Sequence, residues 1–183
     1  MFIETETTPN PATLKFLPGR PVLPEGTLDI RDPQSAAKSP LAQALFGVPG
    51  VAGVFFGSDF ISVTKADGDW REIKPAVLGT IMEHFVSGKP IVLNKENAVQ
   101  NASAADEPEI VKQIKELIET RVRPAVAQDG GDIVYRDFKD GIVQLELHGS
   151  CSGCPSSTIT LKNGIENMLK HYVPEVVAVE AVA

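Results

Sequence analysis

Cysteine is scarce in this chain of 183 residues: there are two, Cys151 and Cys154. A disulfide between them would close a very small loop and stabilise little. A stapled secreted scaffold normally carries more cysteine, so that class is excluded. Long apolar runs are missing as well. VAGVFF at 51–56 and VVAV at 176–179 are typical, whereas a membrane-spanning helix needs about 20 consecutive apolar residues. The opening segment MFIETETTPNP has no basic stretch followed by an apolar one, so no secretory signal is expected. Basic charge is also short. Against 24 Asp and Glu stand 17 Lys and Arg, for a net charge of −7, which argues against a sequence-independent grip on nucleic acid. The expected partners therefore include neither nucleic acid nor membrane. What is present is ordinary for a globular protein, with 43% apolar and 22% charged residues.

Along the chain the pattern is α+β: two small α/β domains, residues 1–93 and 108–183, joined by a linker at 94–107. The linker NKENAVQNASAADE holds one sizeable apolar side chain, Val99, and cannot bury enough surface to offset its ordering entropy. In the first domain TLKFL (13–17) reads as a strand, and Ser39-Pro40 as the cap and first residue of a helix through Phe46. Residues 51–57 and 60–65 read as strands around a turn at Ser58-Asp59. GVPGVAG (47–53) leads into a strand and reads as a turn rather than a phosphate loop. Pro75 is expected to start a helix whose apolar residues are Leu78, Ile81, Met82 and Phe85, ended by Gly88 and Pro90.

The second domain reads α-β-β-α-β. A helix opens around Pro108 with an apolar stripe of Ile110, Ile114, Leu117, Ile118 and Val122. Pro124 kinks or restarts it, and Asp129-Gly130-Gly131-Asp132 stops it. Strands follow at 133–138 and 141–149, joined through Asp140-Gly141, a strong hairpin signal. Alternation places Val143, Leu145 and Leu147 on one face and Gln144, Glu146 and His148 on the other. A helix from Pro155 carries Leu161, Ile165, Met168 and Tyr172 along one side, and VVAVEAV (176–182) is the last strand.

Cys151 and Cys154 fall in the turn between a strand and a helix, with Gly149 and Gly153 for close backbone approach and Pro155 at the first helical position. A helix N-terminus favours a thiolate by about 0.3–1 kcal/mol and is expected to lower the thiol pKa. Ser150, Ser152, Ser156 and Ser157 add small donors for sulfur. Nothing apolar surrounds the pair, so mere packing explains it poorly. A dithiol redox centre, a zinc site and an iron–sulfur site all stay open. Clusters and structural zinc both take four ligands, and one chain supplies two thiolates. His148 is a candidate third ligand, and no fourth is evident. A closed site therefore asks for two chains, each giving Cys151 and Cys154 across a two-fold axis. Such a site would be exposed and would come apart with the dimer, which suits a cluster that must be handed on.

The stretches RVRPAVAQDGGDIVYRDF (121–138), GIVQLELHGSCSGCPSSTITLKNGIENMLK (141–170) and HYVPEV (171–176) resemble the C-terminal scaffold domain of NifU-like proteins, the Nfu domain. MFIETETTPNPATLKFLPG (1–19), DFISVTK (59–65) and DWREIKP (69–75) resemble the N-terminal domain of mitochondrial and alphaproteobacterial members. The resemblance implies a labile [4Fe–4S] cluster bridged by the C-x-x-C motifs of two protomers, with Cys151 and Cys154 as cofactor and metal ligands. It also implies a carrier rather than an enzyme, with no catalytic residue. Its partners would be upstream cluster-assembly proteins, apo iron–sulfur proteins as recipients, and a second copy of the chain when loaded. The expected compartment is bacterial cytoplasm, or the mitochondrial matrix for a processed eukaryotic form. The alternative is a thiol–disulfide oxidoreductase using the same pair, with a dimer-bridging zinc site behind it.

Other residues read more plainly. Asp129–Asp132 reads as a helix stop and strand start rather than a carboxylate metal site. His148 reads as a solvated strand residue, with tuning of the site as the alternative. His84 and His171 read as surface or boundary residues, and Trp70 as a core or docking residue. The serines beside the cysteines lack a histidine–carboxylate partner in sequence reach for hydrolase chemistry.

Overall fold

The computed structural model describes residues 1–93, 107–152 and 155–182, without the side chains of 155–157. The chain divides into two compact units, Met1–Gln100 and Asn101–Ala183, each combining helices and strands, and the fold is two-domain α+β. Apart from Glu107, the expected linker lies outside the described residues.

In the first unit, strands β1 (Glu4–Thr7), β2 (Thr13–Leu17), β3 (Leu28–Ile30), β4 (Val51–Phe56) and β5 (Ile61–Lys65) form one sheet in the order β1-β2-β5-β4-β3. Every pairing is antiparallel. The register sets Phe16 opposite Ile61, Ile61 opposite Phe56, and Phe56 opposite Leu28, so alternation gathers one apolar row on one face. Helices α1 (Pro40–Phe46) and α2 (Trp70–Ser87) cover that face with Leu41, Leu45, Ile73, Val77 and Ile81. Ser39 caps α1 as its sequence predicts: its Oγ accepts from the Ala42 amide at 3.1 Å, and Pro40 follows at the first helical position. The short strands β1 and β3 carry too few apolar residues to show a period in sequence.

Helix α2 begins five residues before the expected Pro75, because Asp69 accepts a hydrogen bond from the Arg71 amide and caps it. Pro75 lies inside the helix. Trp70 packs partly against the core, and its Nε1 donates to the Pro11 carbonyl at 3.1 Å. Two expectations on α2 fail. Met82 is exposed, and His84 is buried at 6% exposure, because the buried side of the helix runs Ile73, Val77, Ile81, His84.

The second unit is a three-stranded sheet, β6 (Gly131–Lys139), β7 (Ile142–Gly149) and β8 (Ala178–Val182), in that order. β6 and β7 form the expected hairpin, turning through Asp140 and Gly141 with φ of +53° and +78°. A β-bulge follows Tyr135. β8 runs parallel to β7, which requires a crossover, and α5 (Pro155–Tyr172) supplies it. Helices α3 (Glu109–Leu117) and α4 (Arg123–Gln128), with a π-helical turn Ile118–Val122 between them, pack with α5 on one sheet face. That core joins Ile114, Ile118 and Val126 to Leu145, Ile165 and Leu169. The expected face of α5 is corrected: Leu169 is buried and Tyr172 is 42% exposed. The last strand starts two residues later than expected, after Val177 donates its amide to the Gly141 carbonyl at 2.7 Å.

Candidate functional site

β7 ends at Gly149 and α5 begins at Pro155, so the cysteine loop spans the top of the crossover, where the strand hands the chain to the helix. Cys151 is 6% exposed and belongs to the core of the second unit. Cys154, expected at the helix cap, lies outside the described residues. The Cys151 carbonyl accepts from Thr158 Oγ1 on α5 at 3.2 Å, and Ser152 donates both its amide, at 3.2 Å, and its Oγ, at 3.0 Å, to the Gly149 carbonyl. The loop is thereby tied to both flanking elements.

The opposite wall of the loop comes from the segment between α4 and β6. The Ser150 amide donates to the Gly130 carbonyl at 3.3 Å, and Ser150 Oγ donates to the Asp129 carbonyl. Gly131 faces Gly149 across the hairpin. A β-carbon on Gly131 would lie 2.7 Å from Cys151 Sγ and 2.7 Å from the His148 carbonyl oxygen. Asp129–Asp132 is the helix stop and strand start that its sequence predicts. Gly131 in addition makes the space that Cys151 occupies. The signal was the second glycine, since one suffices to end a helix.

Burial pushes the Cys151 thiol up to about 11; Ser150, 4.0 Å from Sγ, opposes this, while the charges of Asp129 and Asp132 add to it. The lowering expected of a thiol at the helix cap belongs to the position of Cys154, outside the described residues; Cys151 is raised instead. A thiol in a packed core beside carboxylates favours its protonated form.

His148 departs from both expectations. It is 5% exposed, not solvated. Its register partner is Asp132, one residue on from Gly131, so strand alternation puts it on the sheet face opposite Cys151 Sγ. There its Nε2 meets Glu146 Oε1 at 2.9 Å, and Glu146 is paired with Arg136. It is not brought to the cysteine as a third ligand. His171 is exposed, as expected.

Fold and site together define a two-domain α+β protein with a C-x-x-C sequence where a strand gives way to a helix. Two family models match it in order: "Scaffold protein Nfu/NifU N terminal" over residues 3–88 and "NifU-like domain" over residues 114–180. A human protein named "NFU1 iron-sulfur cluster scaffold homolog, mitochondrial" is 54% identical over 184 residues, covering 100% of this chain and 72% of its own length. "NifU-like protein 4, mitochondrial" of Arabidopsis thaliana is 51% identical, covering 98% of this chain and 65% of its own length. A solution structure of a NifU-like protein from Saccharomyces cerevisiae superposes at 30% identity and a TM-score of 0.46, covering 52% of this chain and 87% of that one. The chain belongs to the Nfu/NifU-like family of iron–sulfur cluster scaffold proteins.

Proposed function

We propose that this protein is an iron–sulfur cluster carrier that holds a labile [4Fe–4S] cluster between two protomers and passes it to apo-proteins. Cys151 and Cys154 of each protomer would supply the four thiolates, and residues 94–107 would tether the first domain to the second. The observation that carries this reading is the C-x-x-C loop at the β7–α5 turn of a chain belonging to a cluster-scaffold family. The placement of His148 on the far face of the sheet supports it. Without that imidazole, a single chain offers two thiolates toward a cluster that takes four.

Transfer would proceed by ligand exchange without net redox change. An incoming recipient thiol gives up its proton and forms an Fe–S bond, the bond to Cys151 or Cys154 breaks, and the departing sulfur takes up a proton. Free Cys151, pushed up to about 11, is protonated at neutral pH, so loading releases a proton from it. The same property counts against the oxidoreductase alternative, which needs an accessible, low-pKa thiolate. A carrier needs no catalytic group. The curated relatives bear mitochondrial names, which supports the matrix as the setting.

The test is anaerobic reconstitution followed by incubation with a reduced apo iron–sulfur protein. The wild type should activate the recipient while its own cluster absorption falls. Cys154→Ala should neither hold nor deliver the cluster. Delivery that survives this substitution in full would overturn the reading.

A further inference from the structure

Pro124 has no N–H to give to the helix, and the turn before it is widened: the Arg123 amide reaches back five residues to the Ile118 carbonyl. One added residue shifts helical phase by about 100°, and π turns recur at functional places. The side chain that leaves this turn is Arg123. Its Nε donates to Asp132 Oδ1 and its Nη2 to Asp132 Oδ2, both at 2.8 Å. Its Nη1 donates to both oxygens of Glu119, at 2.7 and 2.9 Å. Asp132 is 3% exposed and also accepts from the Ile133 amide at 2.8 Å. The two forks give the guanidinium a fixed orientation that a lysine ammonium cannot reproduce.

Asp132 ends the Asp129–Gly131 ledge that faces the cysteine loop. Gly131 abuts Cys151 Sγ, and Asp129 and Gly130 hold Ser150. We propose that Arg123 is a positioning residue for Cys151: by clamping Asp132 it fixes the ledge against which the thiol is seated. The consequence for cluster retention rests on the carrier reading; the seating of the thiol does not.

The experiment uses the full chain with Cys154→Ser, leaving one thiol, and follows alkylation of apo Cys151 by iodoacetamide in native buffer. Arg123→Lys keeps the charge and loses the forks. It should alkylate about tenfold faster, the factor that corresponds to 1.4 kcal/mol of easier local opening. The rise should exceed what any loss of melting temperature accounts for. The paired change Arg123→Leu with Asp132→Leu removes the buried charges together and guards against simple misfolding; it should also alkylate faster. Should neither fold, Glu119→Gln, a change at an exposed partner, decides by raising the rate. A folded Arg123 variant, or failing that Glu119→Gln, with the parent's alkylation rate overturns the proposal. With both cysteines present and the cluster loaded, Arg123→Lys should shorten cluster lifetime and alter the paramagnetic resonance spectrum of the reduced state. If wild type loads no cluster, the carrier reading fails while the alkylation result stands.

Discussion

Gly131 and Gly164 are glycines of opposite consequence. A β-carbon on Gly131 would press into Cys151 Sγ and a backbone carbonyl, so Gly131→Ala should destabilise by about 1–3 kcal/mol and lower iron retention after reconstitution. Gly164 lies in α5 with open space where a β-carbon would go. Gly164→Ala should therefore stabilise by about 0.4–1 kcal/mol. Urea midpoints of the two variants check both signs. His84 gives a pH prediction. Burial holds its pKa below the ordinary 6.5, the charge of Lys89 adds to this, and a hydrogen bond with the Lys89 backbone opposes it. The folded state thus prefers the neutral ring, whose stabilisation is complete above pH 6.5 and is lost as pH falls through the lowered folded pKa. Replacing it in His84→Leu should flatten the fall in melting temperature as the pH drops below 6.5. Beyond the hint of a second glycine, neither role is legible in sequence. The close approach of Gly131 to the Cys151 sulfur, twenty positions on, follows from strand register, and His84 is buried by helix phase.

At the scale of elements, strong local chemistry was readable. Ser39-Pro40 and Asp140-Gly141 each state a boundary through one cap or one turn, and the alternation of β7 named its buried face, Val143, Leu145 and Leu147. The start of α2 is set by the Asp69 cap and not by Pro75, which lies inside the helix as its sixth residue. The cap of α1 reaches beyond its own helix. Ser39 is fully buried, accepts from the Ala42 amide and donates its hydroxyl to the Ile91 carbonyl, while the Leu93 amide donates to Lys38 at 2.9 Å. The chain leaving α2 is thus fastened to the start of α1. Ser39→Ala should cost about 1–3 kcal/mol, more than a surface cap, because a buried carbonyl loses its donor as well. The fluorescence of Trp70, the only tryptophan, reports unfolding of this unit directly and should show the lowered midpoint.

For the whole molecule, the cysteine pair was legible from two residues and their spacing, and the two-domain α+β plan from the sparse segment between two patterned regions. The ledge that seats Cys151 was not, because it is assembled from α4, β6 and β7 by tertiary contact. The central claim is stoichiometric: each chain brings half of the thiolates that one cluster requires. Native mass spectrometry of anaerobically reconstituted protein, with iron and acid-labile sulfide measured on the same sample, tests it directly. The account predicts one species of two chains carrying four irons and four sulfides, which reverts to apo chains when the cluster is chelated away. A single chain carrying a complete cluster, with no external thiol in the complex, would contradict it.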